Sequence, residues 1–454
     1  MEDINLIKEN HSYFRVILSS VFILFILLSS FYTIWGYKEE IPTYMEIGRI
    51  VLSLNYAIMI VISFKFTNIY RIFFLATLGF LICVLFMKYI YYANGIDSFA
   101  DTRDAYNYYN TTVHNGYKNF VAFFRDMPLD LRATTADYGY FFILYIMYKI
   151  NADLNWLIYG VIFINAICLY ISAIYLYKTQ LILGCERQLS KTITILYISS
   201  PFLAITAING LKEVIFVTII IFTIYKIVLI KQQKGLFNII HAALGIIACL
   251  YFRTAIAYIL LICLIMSLTL NESNKLVYMI IMISGIFFFN LLLPFIMENL
   301  LGISMDELSY TTKARLSIAD KSSRLYTRVL PLMASILGPF PNLDRCGEYT
   351  FMFSLAVFMK NCFTVFFIFG TLKIIRNQLI DWFPIVVYIL LSISMIYVGS
   401  VSLDLRYHIT FYPAILLIIS RFFRRKPLID YTAIALFIMI IYIYSTRRIH
   451  NVMM

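Results

Sequence analysis

Charge is what this sequence has least of. Only 14% of its 454 residues are Asp, Glu, Lys or Arg, against roughly 25% in an average soluble domain. With 61% of the residues hydrophobic and 17% aromatic, that deficit excludes an ordinary soluble globular protein. Cysteine supplies no framework either. The seven cysteines show no C-x-x-C spacing, and Cys83, Cys168, Cys249 and Cys263 stand inside apolar runs, so neither a zinc site nor a disulfide scaffold is signalled. There is no internal repeat, no low-complexity linker, and no inverted pair of Gly/Pro-broken helices of the kind that points to a secondary transporter. Acids are the scarcer charge, leaving a formal net charge of +12. In a soluble chain that excess would suggest nucleic acid. Here the basic residues collect in short breaks between apolar runs, as membrane insertion demands, and no nucleic-acid partner is expected.

What the chain has in abundance is apolar runs of about 20 residues, the length that crosses a bilayer as a helix, from Phe14 to Tyr444. The first ends in Trp35-Gly36-Tyr37-Lys38 rather than a small-residue cleavage site, so it reads as a retained helix. Basic clusters mark the cytoplasmic breaks: Lys65 and Arg71; Lys178, Arg187 and Lys191; Lys231 and Lys234; Lys275; Lys373 and Arg376; and Arg421 to Lys426. Spans at 14–34, 49–64, 72–92, 155–177, 191–208, 211–230, 237–252, 254–270, 276–298, 352–372, 383–401, 406–420 and 429–445 then alternate from a cytoplasmic N-terminus. The expected fold is an all-α polytopic membrane protein, one domain over 1–454, with about 12–13 transmembrane helices. An odd count leaves Arg447 and Arg448 outside, against the positive-inside rule, so the count is open by one. Tyr138 to Ile150 is too short to cross and is expected to be an interfacial or re-entrant helix. Two long breaks, 93–137 and 299–350, fall on the same outer face, where long loops on a rigid scaffold commonly carry function.

The outer face also gathers the residues with chemistry. Asp97, Asp101 and Asp104 lie within eight residues, beside Tyr106, Tyr108 and Tyr109. Such carboxylates suit a general base or a divalent cation, and tyrosines suit sugar rings; the plainer alternative is a solvated acidic loop with interfacial aromatics. Asn209-Gly210-Leu211-Lys212-Glu213 turns straight back into an apolar run, holding Lys212 and Glu213 near the interface, where they act on a ligand or simply pair with each other. Arg253 sits alone in an apolar stretch. An arginine at membrane depth costs about 2.5–3.5 kcal/mol on insertion scales and calls for an anionic partner, from a substrate or a structural ion pair. Two short helices meeting at Arg253 would lower that cost. In the second loop Lys321, Arg324 and Arg328 share one face if 318–330 is helical, a stripe that suits a pyrophosphate or anionic lipid headgroups. Asp404, Arg406, Tyr407 and His408 crowd the mouth of a later span, Asp404 with Arg406 forming an anion-binding or acid–base pair. Elsewhere only Lys88 and Lys360 fall within spans, near enough to the ends to snorkel.

Four stretches carry a family resemblance: Asp101 to Tyr109, Asn209-Gly210-Leu211-Lys212-Glu213, Phe252-Arg253-Thr254-Ala255, and Leu405-Arg406-Tyr407 with Pro413. In them the chain resembles the Wzy-type polymerases of bacterial O-antigen and capsule repeat units, including the EpsG-like branch. That family often has Arg where this chain has Lys212, which weakens a bidentate role there but keeps the charge. The resemblance implies a glycosyltransferase of GT-C-like layout in the bacterial inner membrane, with its active site facing the periplasm. It would move a glycan from an undecaprenyl pyrophosphate carrier onto a new lipid-linked repeat unit. No carboxylate cluster makes a compelling metal site, so a reaction without metal or cofactor is expected. Expected partners are the undecaprenyl pyrophosphate-linked oligosaccharide, membrane lipid, a chain-length regulator and a flippase. The expected base is Asp101 or Asp104, with Glu213 and Asp404 behind them. Lys212, Arg253, Arg324, Arg328 and Arg406 would hold the pyrophosphate, and Tyr106, Tyr109, Tyr407 and His408 the sugars. A GT-C glycosyltransferase or O-antigen ligase using polyprenyl-linked donors, and a lipid-linked oligosaccharide flippase, are the alternatives.

Overall fold

Without water to bond free amides, a chain in hydrocarbon must close its backbone hydrogen bonds within helices, and runs rich in Ile, Leu and Phe do so despite modest intrinsic propensity. The computed structural model describes residues 68–93, 108–109, 112–113, 121–123, 137–233, 235–270, 335–336, 360, 363–364, 366–398 and 405–422. Within them 88% of residues are helical and none is in a strand. The helices are α1 (Ile69–Ala93), α2 (Tyr138–Ile150), α3 (Leu154–Ile182), α4 (Arg187–Ile198), α5 (Pro201–Ile208), α6 (Glu213–Gln232), α7 (Leu236–Leu250), α8 (Thr254–Thr269), α9 (Phe383–Val398), α10 (Leu405–Ile409) and α11 (Tyr412–Phe422). A further helical run covers 366–376.

Four segments are long and apolar enough to cross a membrane: Ile69–Tyr89, Trp156–Ile182, Glu213–Gln232 and Ile380–Tyr397. Their outer surfaces agree with that medium. On α1, Tyr70, Phe74, Leu78, Ile82 and Phe86 form an exposed stripe at every fourth residue, while Phe73, Ala76, Phe80, Val84 and Met87 face inward. Helix α3 exposes Phe163, Ile167 and Ile171 in the same way. Helices apolar on both faces belong in lipid, and the protein is a membrane protein. The expected spans at 14–34, 49–64, 276–298 and 429–445 lie outside the described residues, as does most of both long loops.

Helix α6 is the hub, packed on α3, α5, α7 and α8. Its neighbours are tied by hydroxyls that donate across helices: Thr218 Oγ1 to Cys168 O on α3 at 3.0 Å, and Ser267 Oγ on α8 to Ile227 O at 2.8 Å. Small residues permit the close approaches. A side chain at Gly245 on α7 would collide with Thr223 Oγ1 on α6.

Two expected spans are each broken. The run 191–208 becomes α4 and α5 because Pro201 opens the second helix, lacks an amide and disfavours helical geometry at Ser200. The run 406–420 becomes α10 and α11 around Thr410-Phe411, just ahead of Pro413. The break is sealed by Tyr388, whose hydroxyl donates to Thr410 O at 2.9 Å. The short helix over Tyr138–Ile150 and the pair α7–α8 meeting at Arg253 are as expected.

Basic side chains close one end of the bundle. Arg421 donates to Gly184 O, Lys231 to Leu270 O, and Gln232 to Ile182 O at 2.7 Å, while Lys373 lies 5.8 Å from the Phe422 ring. These are carbonyls that helix C-termini leave unpaired. Of the basic residues sorted to one side by sequence, Lys231, Lys373 and Arg421 thus share one end. The turns before α6 and between α7 and α8 lie at the other, about 30 Å away along the 20 residues of α6.

Gly245→Val should cost about 1–3 kcal/mol by overpacking the α6–α7 contact. Thermal unfolding of the detergent-purified protein checks this, and adding Thr223→Ala should recover much of the loss.

Candidate functional site

At the end opposite the basic caps, four chain segments meet: the turn 209–212, the turn 251–253, the first turn of α2 and the short helix α10. The turn before α6 ends α5 with paired bonds, Leu211 N–H to Thr206 O at 2.9 Å and Gly210 N–H to Ala207 O at 3.0 Å. This closure needs a left-handed residue, supplied by Gly210 at φ 61°. Two buried tyrosines fix the turn from outside. Tyr109 donates to Gly210 O at 3.1 Å, Tyr140 donates to the same carbonyl, and the two hydroxyls lie 3.3 Å apart. Burial, with Tyr109 and Glu213 nearby, pushes the Tyr140 hydroxyl well above the ordinary tyrosine range, so it stays a donor. Asn165 Nδ2 reaches Leu211 O from α3 at 3.5 Å.

With the turn fixed, Lys212 and Glu213 open α6 in opposite directions. Lys212 pairs with Asp137, and its ammonium lies 5.6 Å from the Tyr108 ring. Asp137 Oδ2 also accepts from the Tyr108 hydroxyl at 2.8 Å. Glu213 Oε1 lies 3.3 Å from Arg253 Nη2, longer than the roughly 2.7–2.9 Å of a tight charge-assisted bond. Its second oxygen, Oε2, is buried with no hydrogen-bond partner.

Arg253 is extended between α7 and α8, at φ −157°. Its amide closes α7 on Cys249 O at 2.8 Å, and its carbonyl accepts from Ile256 and Ala257 at the start of α8. The guanidinium contacts the Arg406 carbonyl through Nη1 at 3.4 Å. It also stacks 4.1 Å from the Tyr407 ring, with Phe216 at 5.9 Å on α6. Phe216 in turn stacks on Phe252, centroids 5.6 Å apart at 9°. The first turn of α2 docks on this hairpin: Gly139 N–H donates to Tyr251 O at 2.9 Å. Only glycine fits there, because a Cβ would sit 2.5 Å from the Phe252 ring.

Lys212, Glu213, Arg253, Arg406 and Tyr407 are therefore brought together from distant parts of the sequence. The alternative in which Lys212 and Glu213 pair with each other is overturned, since each has its own partner on another segment. Tyr109 is also corrected. It is 2% exposed with its hydroxyl committed inward, which removes it as a sugar platform. His408 is fully buried rather than at a mouth, its Nδ1 2.7 Å from Lys360 Nζ. Lys360 is itself fully buried, near Ile336 O at 3.4 Å and the Phe411 ring at 5.3 Å, and Lys88 is buried too, so neither snorkels. Asp101, Asp104, Tyr106, Arg324, Arg328 and Asp404 lie outside the described residues.

Sequence reasoning missed Asp137, Tyr108 as a hydroxyl donor, and Tyr140. The only local signal for Asp137 was an acid directly before a helix. Among the described residues no three His, Cys, Asp or Glu side chains group together. Chemically, the site offers one loosely paired arginine, one tightly held lysine and one carboxylate with an uncommitted oxygen. No family model matches the chain, and neither a curated protein nor a solved structure is significantly similar to it.

Tyr109→Phe and Tyr140→Phe should each cost about 1 kcal/mol, because the other hydroxyl still satisfies Gly210 O. The double variant orphans that carbonyl and should cost more than the sum of the two, which thermal unfolding in detergent measures.

Proposed function

We propose that this chain is a polysaccharide polymerase of the bacterial inner membrane. It transfers a growing glycan from undecaprenyl pyrophosphate to the acceptor sugar of a new lipid-linked repeat unit at the periplasmic face. The observation that carries the reading is Arg253, held at a helix break against Tyr407 and only loosely paired with Glu213. It is a desolvated cation at one end of the bundle with most of its five N–H donors still to be used.

In the transfer, the acceptor hydroxyl oxygen forms a bond to the anomeric carbon while that carbon's bond to the pyrophosphate oxygen breaks. The electron pair and negative charge leave with the pyrophosphate, and the hydroxyl proton passes to a carboxylate. Preorganised cations are worth most where charge develops, so Arg253 and Arg406 are assigned to the pyrophosphate, assisted by Lys212, Arg324 and Arg328. The base is drawn from Asp101, Asp104, Glu213 and Asp404; of these Glu213 has the described geometry, with a buried free oxygen beside Arg253. Tyr407 and Tyr106 are the remaining candidates for sugar contact. Because Lys88 and Lys360 are buried rather than snorkelling, a flippase stays the alternative that experiment has to separate.

Deleting the gene and running surface polysaccharide on a gel makes that separation. Loss of a polymerase leaves lipid A–core bearing a single repeat, loss of a flippase or ligase leaves none, and an unchanged ladder sinks the proposal. Arg253→Ala should lower chain growth at least about 10²–10³-fold, the typical loss for one transition-state donor, with protein level in the membrane retained. Arg253→Lys should recover only part, for lack of a planar fork.

A further inference from the structure

We infer that Asp137 is a positioning residue that holds the Lys212 cation in place for the pyrophosphate, an inference that rests on the function proposed above. Asp137 precedes α2 at the position where an Asp ordinarily has extended backbone and turns its carboxylate back onto the first amides of the helix. Here it does neither. Its φ is 88°, and its side chain makes no capping bond. Among the described residues the one other non-glycine with positive φ is Gln378. That case is explained by the termination of the helical run over 366–376, where Gln378 N–H reaches Ile375 O and Leu379 N–H reaches Ile374 O. Asp137 begins a helix, so helix termination does not account for its strain.

The strained backbone does aim both carboxylate oxygens away from α2. Oδ2 accepts from Tyr108 at 2.8 Å, and Oδ1 pairs with Lys212. The cap that would steady α2 is thus given up for a contact on another segment, and local strain of this kind persists only where the surroundings over-determine it. They do so here through the next turn of backbone. The Asp137 carbonyl accepts from Tyr140 and Phe141 at 3.0 and 3.1 Å, Gly139 is bonded to Tyr251, and Tyr140 donates to Gly210. One turn of α2 therefore touches both the loop bearing Lys212 and the loop bearing Arg253, and Asp137 is the part of it that carries charge. A lysine has a flexible four-carbon stem. Fixing its ammonium requires a counter-charge that is itself fixed, which the left-handed backbone and Tyr108 provide.

The test uses the full chain in nanodiscs, with undecaprenyl pyrophosphate alone as the probe. Asp137→Asn keeps the shape and suits a left-handed backbone, so it should fold with an unchanged unfolding midpoint. Its affinity for the probe should fall roughly 10- to 100-fold, the range of one lost charge-assisted contact, and Asp137→Glu should recover part of it. The reversed pair Asp137→Lys with Lys212→Asp should keep the wild-type protein level but not bind. Wild-type affinity in Asp137→Asn, or recovery of binding in the reversed pair, overturns the inference and shows the ion pair to be a structural tie only. If Arg253→Ala and Arg406→Ala lose binding while Asp137→Asn does not, the functional reading stands and only the role of Asp137 falls. A wild-type protein that does not bind the probe overturns both.

Discussion

In hydrocarbon a helix can be interrupted only where its freed amides and carbonyls find other partners, and the architecture of this protein follows from where its interruptions are placed. Several of the described breaks are sealed by a specific group. Tyr109 and Tyr140 close the turn before α6, Tyr388 closes the break at Thr410, and Arg421 closes the end of α3 at Gly184. The break at Arg253 closes on itself through Cys249 O and the amides of Ile256 and Ala257. It frees the side chain to reach α6 and α10. A long cation thus stands at the end of the bundle without a continuous helix having to carry it through lipid.

The same rule explains why Tyr109, in an apparently polar loop, and Tyr140, on α2, belong to the fold. A loop carbonyl turned inward, as Gly210 O is, must be satisfied, and a phenol reaches it while adding apolar surface. Tyr109 and Tyr140 spend their hydroxyls this way and their rings on packing. Tyr251 is left exposed, and Tyr407 is half-buried with its ring against Arg253. Tyrosine abundance near a membrane interface therefore does not separate sugar contacts from structural plugs; the direction of each hydroxyl does.

Much of the framework was legible in the sequence because it depends on composition and periodicity. Apolar runs gave α1, α3, α6, α7 and α8 to within a few residues, and the shortness of Tyr138–Ile150 marked it as different. The breaks at Pro201 and near Pro413 were not separated from their spans, since hydropathy sums over a proline that the backbone cannot ignore. At the site, Lys212, Glu213 and Arg253 stood out as charges in apolar surroundings, and the structure joins them. Their partners did not stand out. Asp137 is 75 residues before Lys212 and lies in a polar stretch where an acid is unremarkable. The pairing depends on a left-handed backbone, which Asp adopts more readily than most residues but still too rarely to announce it. Likewise His408 and Lys360 each resembled an interfacial residue, and only tertiary packing shows them buried against each other.

Four of the described charges at this end form two acid–base pairs, Asp137 with Lys212 and Glu213 with Arg253, and the two are not equivalent. Lys212 is held by a carboxylate that is fixed on both oxygens. Glu213 and Arg253 meet at 3.3 Å, and Glu213 keeps one oxygen unbonded. Local helix fields add to the difference. Glu213 opens α6 and gains from the positive end of its dipole, whereas Arg253 stands between the C-terminus of α7, which favours a cation, and the N-terminus of α8, which opposes one. Arg253 is therefore the less contented partner, steadied by the Arg406 carbonyl and the Tyr407 ring as much as by Glu213. An anion arriving between the two hairpins would meet a guanidinium whose existing bonds are long. Of the two pairs, the one built on Arg253 is the one whose geometry allows exchange of its carboxylate for another anion.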